Sequence, residues 1–280
     1  MKFALDVPNS GKYADPALLV ELAVEAERCG WDGFFVWDHV VSGGRSPVND
    51  PWSVLAAIAS STTTIRIGPM VTPLARRRPW IIARQAVTVD HLSRGRLILG
   101  VGLGQFSDKE FGAFGDEADP KRRAEMLDEA LAIVSGLWTG EPFRFTGYHL
   151  KVAKTTFRPT PVQEPRIPIW VGGRWPNKAP MRRAASWDGA FAIPATSGLS
   201  DELSPAETAD LIAYVTDHRT AEGPFDFVHA GFLSGDSDVD ASRARAFADL
   251  GVTWWLEQIT SSRMTPAKLR TLIRRGPPLA

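Results

Sequence analysis

Asp38 and His39 stand side by side at the end of a short apolar run, Phe34 to Trp37. Histidine gives or takes a proton near neutral pH, so a histidine at a strand end is a candidate acid-base group. The competing reading has Asp38 capping backbone amides of the following glycine loop while His39 packs. A second group lies at Gly172 and Gly173, which follow the run Ile167 to Val171 and precede a helix opening near Pro176 or Asn177. A strand feeding a helix through a glycine turn leaves N–H groups at the helix start, where the macrodipole favours negative charge. An anion is expected there, with Arg174 and Lys178 adding formal charge; otherwise the two glycines only turn the chain. The third group is Val101-Gly102-Leu103-Gly104-Gln105, whose glycines would let a flat ligand approach the backbone.

The elements that carry these residues alternate strand and helix. Strands are predicted at Lys2 to Val7, Phe34 to Trp37, Ile65 to Val71, Arg96 to Val101, Ile167 to Val171, Gly189 to Ile193, Phe227 to Ser234 and Thr253 to Glu257. Helices follow at Pro16 to Cys29, Pro51 to Ser60, Trp80 to Leu92, Arg122 to Trp138, near Asn177, Leu203 to Arg219, Asp240 to Leu250 and Pro266 to Arg275. Strands apolar on both faces are the mark of a parallel sheet covered by helices. Eight such units predict a (β/α)8 TIM barrel, with a short hairpin inserted after the fourth helix where Phe143, Phe145, Tyr148 and Leu150 flank Thr146-Gly147. A single domain spanning 1–280 follows, since barrels commonly run to about 250 residues. In a barrel the chemistry gathers at the strand C-termini: Asp6 to Asn9, Asp38-His39, Met70 to Thr72, Gly102 to Gln105, Gly172 to Trp175, Ala192 to Pro194, Ser234 and Glu257.

Composition excludes other classes. Lys+Arg and Asp+Glu both total 32 with no long run of one sign, so neither a nucleic-acid surface nor a membrane-surface helix is indicated. The one cysteine, Cys29, sits in a helical pattern and reads as a small hydrophobe. No signal peptide or membrane span is legible, which predicts a soluble, cytoplasmic protein. The strand ends hold no Ser-His-Asp set and no histidine-carboxylate cluster at metal spacing, so hydrolysis and metal catalysis are weakly supported. The wide side chains of Trp37, Trp175 and Trp254 or Trp255 suggest a flat or apolar small-molecule substrate.

A set of segments in one order carries a family resemblance: WDH, TPLARRRP, SRGRLILGVGLG followed by EFGAFG, LDEALAIVSGLWTG, FRPTPVQEPRIPIWVGG and RRAASWDGAF. The chain from Lys2 to Ile193 resembles the luciferase-like monooxygenase family of flavin and deazaflavin enzymes. That resemblance implies a TIM barrel, usually a homodimer, with FMN or coenzyme F420 at the strand ends and its phosphate at Gly172, Gly173 and the next helix start. Cofactor contacts are implied at Asp38, His39, Met70, Val71, Gly102, Gly104, Gly172, Gly173, Arg174, Trp175 and Asn177. A cis peptide is implied between Met70 and Val71.

The Asp38-His39 dipeptide resembles the F420-using members, where many FMN enzymes carry Glu-His-His. Leu103 and Gly102 replace the arginine and cysteine of the light-emitting branch. Gln105 stands where the sugar-phosphate dehydrogenase branch has an acidic residue, and glutamine can orient an oxygen but cannot titrate. The expectation is therefore F420-dependent hydride transfer to or from a small organic substrate, with His39 moving the proton, Asp38 orienting His39 or capping the loop, and Gln105 binding a substrate oxygen. The alternatives are an FMN-dependent monooxygenase and a non-catalytic binding protein on the same barrel.

Overall fold

The computed structural model describes residues 1–105, 107–195 and 201–278. Strands β1 (Lys2–Val7), β2 (Gly33–Val36), β3 (Arg66–Pro69), β4 (Thr72–Pro73) and β5 (Leu99–Gly102) come before the hairpin of β6 (Phe143–Thr146) and β7 (Lys151–Thr155). Strands β8 (Ile169–Trp175), β9 (Gly189–Pro194), β10 (Asp226–Gly231) and β11 (Trp254–Gln258) come after it. Between them run α1 (Pro16–Arg28), α2 (Pro51–Ser61), α3 (Pro79–Ser93), α4 (Pro120–Trp138), α5 (Lys178–Ala184), α6 (Pro205–His218), α7 (Ser237–Asp249) and α8 (Pro266–Arg275).

The sheet is parallel throughout and returns on itself, β11 pairing with β1. The expected third strand is present as two pieces: β3 pairs with β2, while β4 pairs with β5 through Thr72↔Val101 and Pro73↔Gly102. A bridge between Ile67 and Leu97 completes the ring. Counting β3 and β4 as one interrupted strand gives eight barrel strands among the described residues, so the TIM barrel predicted from alternation is the observed fold. The interruption falls at the Met70–Val71 peptide, which is cis at the position the resemblance implied.

The helix starts show why the chain breaks where it does. Asp15, Asp50, Asp119, Ser204 and Thr265 each precede a proline and accept an N–H of the first turn of the helix that follows. A capping oxygen satisfies an otherwise orphan donor, worth about 1 kcal/mol, and proline at the first position has no donor to lose. Ser204 and Glu207 complete the expected capping box.

Inside the barrel Phe35, Trp170 and Trp254 fill the lower half, with ring centroids 5.3 to 6.3 Å apart. Both indole N–H groups donate to Asp226, so two buried tryptophans are satisfied by one carboxylate. Trp254 is thus core filling and Trp255 lies behind the sheet against Phe247, which corrects their expected place in a substrate pocket. Gly68 is required by the same crowding, since a Cβ there would lie 2.0 Å from the Ile98 carbonyl oxygen. The predicted hairpin forms, and Glu129 of α4 holds its tip by accepting the N–H groups of Tyr148, His149 and Leu150. Among the described residues no helix is long and apolar enough to cross a membrane.

Candidate active site

A cavity of about 310 Å³ opens over the C-terminal ends of the strands. Asp38, His39, Met70, Val71, Gly102, Gly104, Gln105, Gly172, Gly173, Arg174 and Asn177 all line it, so residues from four different strand ends converge on one wall. Trp175 does not. It packs against Tyr214, with the Lys178 ammonium 3.8 Å from the centre of its ring. Lys178 therefore faces α6 and adds no charge to the cavity, contrary to the sequence expectation. Among the described residues Trp37 is the tryptophan on the cavity wall.

The geometry around His39 revises the expected roles. Its Nδ1 lies 3.0 Å from Glu110 Oε1, which also accepts the Val40 N–H at 2.9 Å. Glu110 belongs to a single π turn, Ser107–Phe111, after β5 and is 1% exposed. This contact assigns the proton of the neutral imidazole to Nδ1 and the lone pair to Nε2. Asn9, just beyond the end of β1, fixes the backbone: its amide donates to the carbonyls of His39 and Asn49.

Asp38 neither orients the imidazole nor caps the glycine loop. Its Oδ1 accepts from Arg77 Nη2 at 2.7 Å and Arg76 Nη2 at 3.0 Å, and its Oδ2 accepts from Thr72 Oγ1 at 2.8 Å. Arg76 also lies 3.3 Å from Glu110 Oε2, so one guanidinium joins the two carboxylates. Two buried anions beside two guanidiniums leave the group neutral when His39 is neutral. Burial pushes the Glu110 carboxyl up, but the His39 hydrogen bond and charge, Arg76 and the Val40 N–H outweigh it and hold the pKa below its usual value. Phe111 is clamped between Arg123, 4.1 Å from its ring centre, and Arg76 at 5.6 Å, which anchors the turn that presents Glu110.

Glu110, Arg76 and Arg77 are site residues that sequence reasoning missed, although EFGAFG begins at Glu110 and TPLARRRP contains both arginines. Only the folded chain brings His39 and Glu110, 71 positions apart, into contact.

The glycines also serve differently from expectation. Gly172 and Gly173 are not a turn; β8 continues through them to Trp175, paired to Phe191 and Ala192. The turn comes at Pro176-Asn177, where the Asn177 N–H donates to the Arg174 carbonyl at 3.0 Å. A Cβ on Gly173 would sit 2.5 Å from Pro180 Cβ, so this glycine lets α5 pack on the strand. Gly102 and Gly172 make room for Val71, since a Cβ on the first would lie 2.7 Å from one Val71 methyl and a Cβ on the second 2.9 Å from the other. Arg174 keeps its place on the wall by donating to the Pro194 carbonyl at 2.9 Å.

Two strand-end candidates change as well. Glu257 faces outward, accepting from the Leu233 N–H and from Arg263, and the cavity receives its neighbour Gln258. Ser234 lies in the loop after β10, where its N–H donates to Asp240.

The profile of the luciferase-like monooxygenase family matches residues 2–271. An F420-dependent glucose-6-phosphate dehydrogenase of Nakamurella multipartita is 33% identical over 173 residues, 60% of this chain and 49% of the relative. One from Amycolatopsis mediterranei is 34% identical over 206 residues, 70% of this chain and 60% of the relative. The chain thus spans about half to three fifths of these curated relatives. The F420-dependent tetrahydromethanopterin reductase of Methanopyrus kandleri superposes with a TM-score of 0.76 at 16% identity, covering 98% of both chains, which shows the same fold. A parallel barrel with its third strand broken beside the cavity, matched almost end to end by one family profile, gives the conclusion that this chain belongs to the luciferase-like monooxygenase family.

Proposed function

We propose that this protein is a coenzyme F420-dependent oxidoreductase that moves a hydride between the deazaflavin and a small organic substrate. The observation that carries the reading is the His39–Glu110 hydrogen bond on the cavity wall, a titratable imidazole with a fixed tautomer beside space for a planar ligand. The relatives named F420-dependent dehydrogenases align over 60 to 70% of the chain, which supports this cofactor.

The wall fits such a group. Met70 and Val71 offer an apolar face, seated on Gly102 and Gly172, and Arg174 with the Asn177 turn offers a cation and polar backbone to an anionic tail. When bound, the deazaflavin would supply the hydride. The chain's own share is orientation and proton handling. His39 Nε2 takes or gives the proton that accompanies the hydride, while Glu110 stabilises the imidazolium that forms. Arg76 and Arg77 lock Asp38 and so hold the β2 end in register with β4. Gln105 contributes a substrate hydrogen bond.

The FMN monooxygenase reading is the second one, since an apolar pocket also suits oxygen chemistry. Oxygen uptake separates the two: the purified protein, loaded in air with reduced F420 or reduced FMN, is expected to consume oxygen no faster than the free cofactors. Protein-dependent oxygen consumption with reduced FMN and substrate turnover would favour the monooxygenase. A homodimer and a cytoplasmic location complete the proposal, and sedimentation equilibrium reads the first directly.

A further inference from the structure

Asp6 lies near the end of β1 on the inner face of the barrel, where it lines the cavity floor with only 2% of its surface exposed. Its neighbours in register are Phe35 on β2 and Gln258 on β11, and Gln258 lines the same floor. The Trp37 side chain shares this floor and favours the ionised carboxyl, yet Oδ1 has no partner among the described residues. A buried polar atom left unsatisfied costs about 1 to 3 kcal/mol, and more when charged. An apolar side chain would close this floor without that cost, as Phe35 does alongside and Ala4 and Leu256 do just below. Retaining a carboxyl here makes sense if a ligand group completes its hydrogen bonding.

We propose that Asp6 and Gln258 form a subsite for the oxygen of a carbonyl or alcohol substrate, with Asp6 donating a hydrogen bond from its neutral carboxylic acid. This rests on the F420-dependent reading above, and it names the substrate class for that site. Burial pushes the Asp6 pKa well above the usual carboxylate range, while the neighbouring Trp37 side chain works the other way. The charged groups on the same wall are Asp38 and His39 after β2, Glu110 after β5 and Arg174 on β8. Asp38 and Glu110 are committed to arginines and His39, and the partners of Asp6 in register, Phe35 and Gln258, are neutral. A neutral acid in an apolar setting can donate to an oxygen on which negative charge builds as hydride reaches the adjacent carbon. The proton itself comes from His39, so Asp6 ends each cycle unchanged.

The test has parts with and without cofactor. Infrared spectra of the cofactor-free protein at neutral pH should show a carboxylic acid carbonyl band with a component that is lost in Asp6→Asn; its absence from the wild type would mean an ionised Asp6 and overturn the proposal. Wild type, Asp6→Leu and Asp6→Asn are then loaded with reduced F420 and offered a panel of simple ketones and aldehydes. Asp6→Leu should lose roughly 10²-fold to 10³-fold in kcat, as expected when one donor to a developing oxyanion is removed. Asp6→Asn, which retains a donor, should recover part of that loss, and F420 affinity should stay within about 2-fold in both. Equal kcat in Asp6→Leu and wild type, or no turnover of any carbonyl probe by protein with F420 bound, contradicts the subsite. Failure of the wild type to bind F420 removes the cofactor reading instead, while the infrared result stands apart from it.

Discussion

His39 and Glu110 define the residue scale. His39→Ala is expected to keep cofactor affinity and lose turnover by roughly 10²-fold or more, the usual share of an acid-base group; unchanged kcat would return His39 to a packing role. Glu110→Gln removes a buried anion that faces Arg76 and His39, and breaking such a pair costs about 3 to 5 kcal/mol. The folded-state pKa of Glu110 is depressed, so its contribution is present above the unfolded value and lost as pH falls through the folded one. Denaturant melts should therefore show wild type well above Glu110→Gln at neutral pH, with the gap closing below about pH 4.5. A gap independent of pH would mean that packing, not charge, accounts for the loss. His39 is legible in the sequence because a titratable pair at a strand end is a local pattern. Its true partner is not, because Glu110 reaches it across the barrel mouth, while the adjacent Asp38 is drawn to Arg76 and Arg77.

Elements show the same division. Alternating apolar segments, helix spacing and Asp-Pro or Ser-Pro starts specify the barrel, since each is a property of consecutive residues. Which face a residue takes, and where a strand ends, depend on partners distant in sequence. β8 runs four residues further than its apolar core suggests, through both glycines to Trp175, and the cavity receives Gln258 where the strand-end reading had Glu257. A period of two means that a single-residue error turns a side chain from the lumen to the helix layer. Gly173 packs on α5 whether or not an anion binds beside it. Gly173→Ala already places a methyl against Pro180, so it should destabilise by about 1 to 3 kcal/mol and cannot report binding alone. Arg174→Gln leaves β8 intact and removes the charge. It should weaken F420 binding by roughly 10-fold or more at nearly constant Tm, as for a lost charged hydrogen bond. Unchanged affinity would take Arg174 out of the cofactor site.

At the scale of the whole molecule, the net charge of zero hides buried acids with opposite tendencies. Burial drives Glu257 up to about 7, against the pull of Arg263, the Leu233 N–H and Trp255. The folded state then holds a proton that the unfolded state has released, so stability declines as pH rises from about 4.5 through 7 and is level beyond. Glu257→Gln should remove that decline, which is worth on the order of 3 kcal/mol. Thermal melts from about pH 5 to 8 would show the variant falling less than wild type; parallel curves would place Glu257 in its ionised form throughout.

The proposed chemistry requires that the cavity bind a deazaflavin. Trp37 stands on its wall, so a bound planar ligand quenches part of the intrinsic fluorescence of the ten tryptophans. Titrating F420 and FMN separately into the purified protein should give saturable quenching by F420 at micromolar concentration, with FMN binding at least about 10-fold more weakly, a difference of about 1.4 kcal/mol. Tighter binding of FMN, or no saturable quenching by F420, would contradict the account.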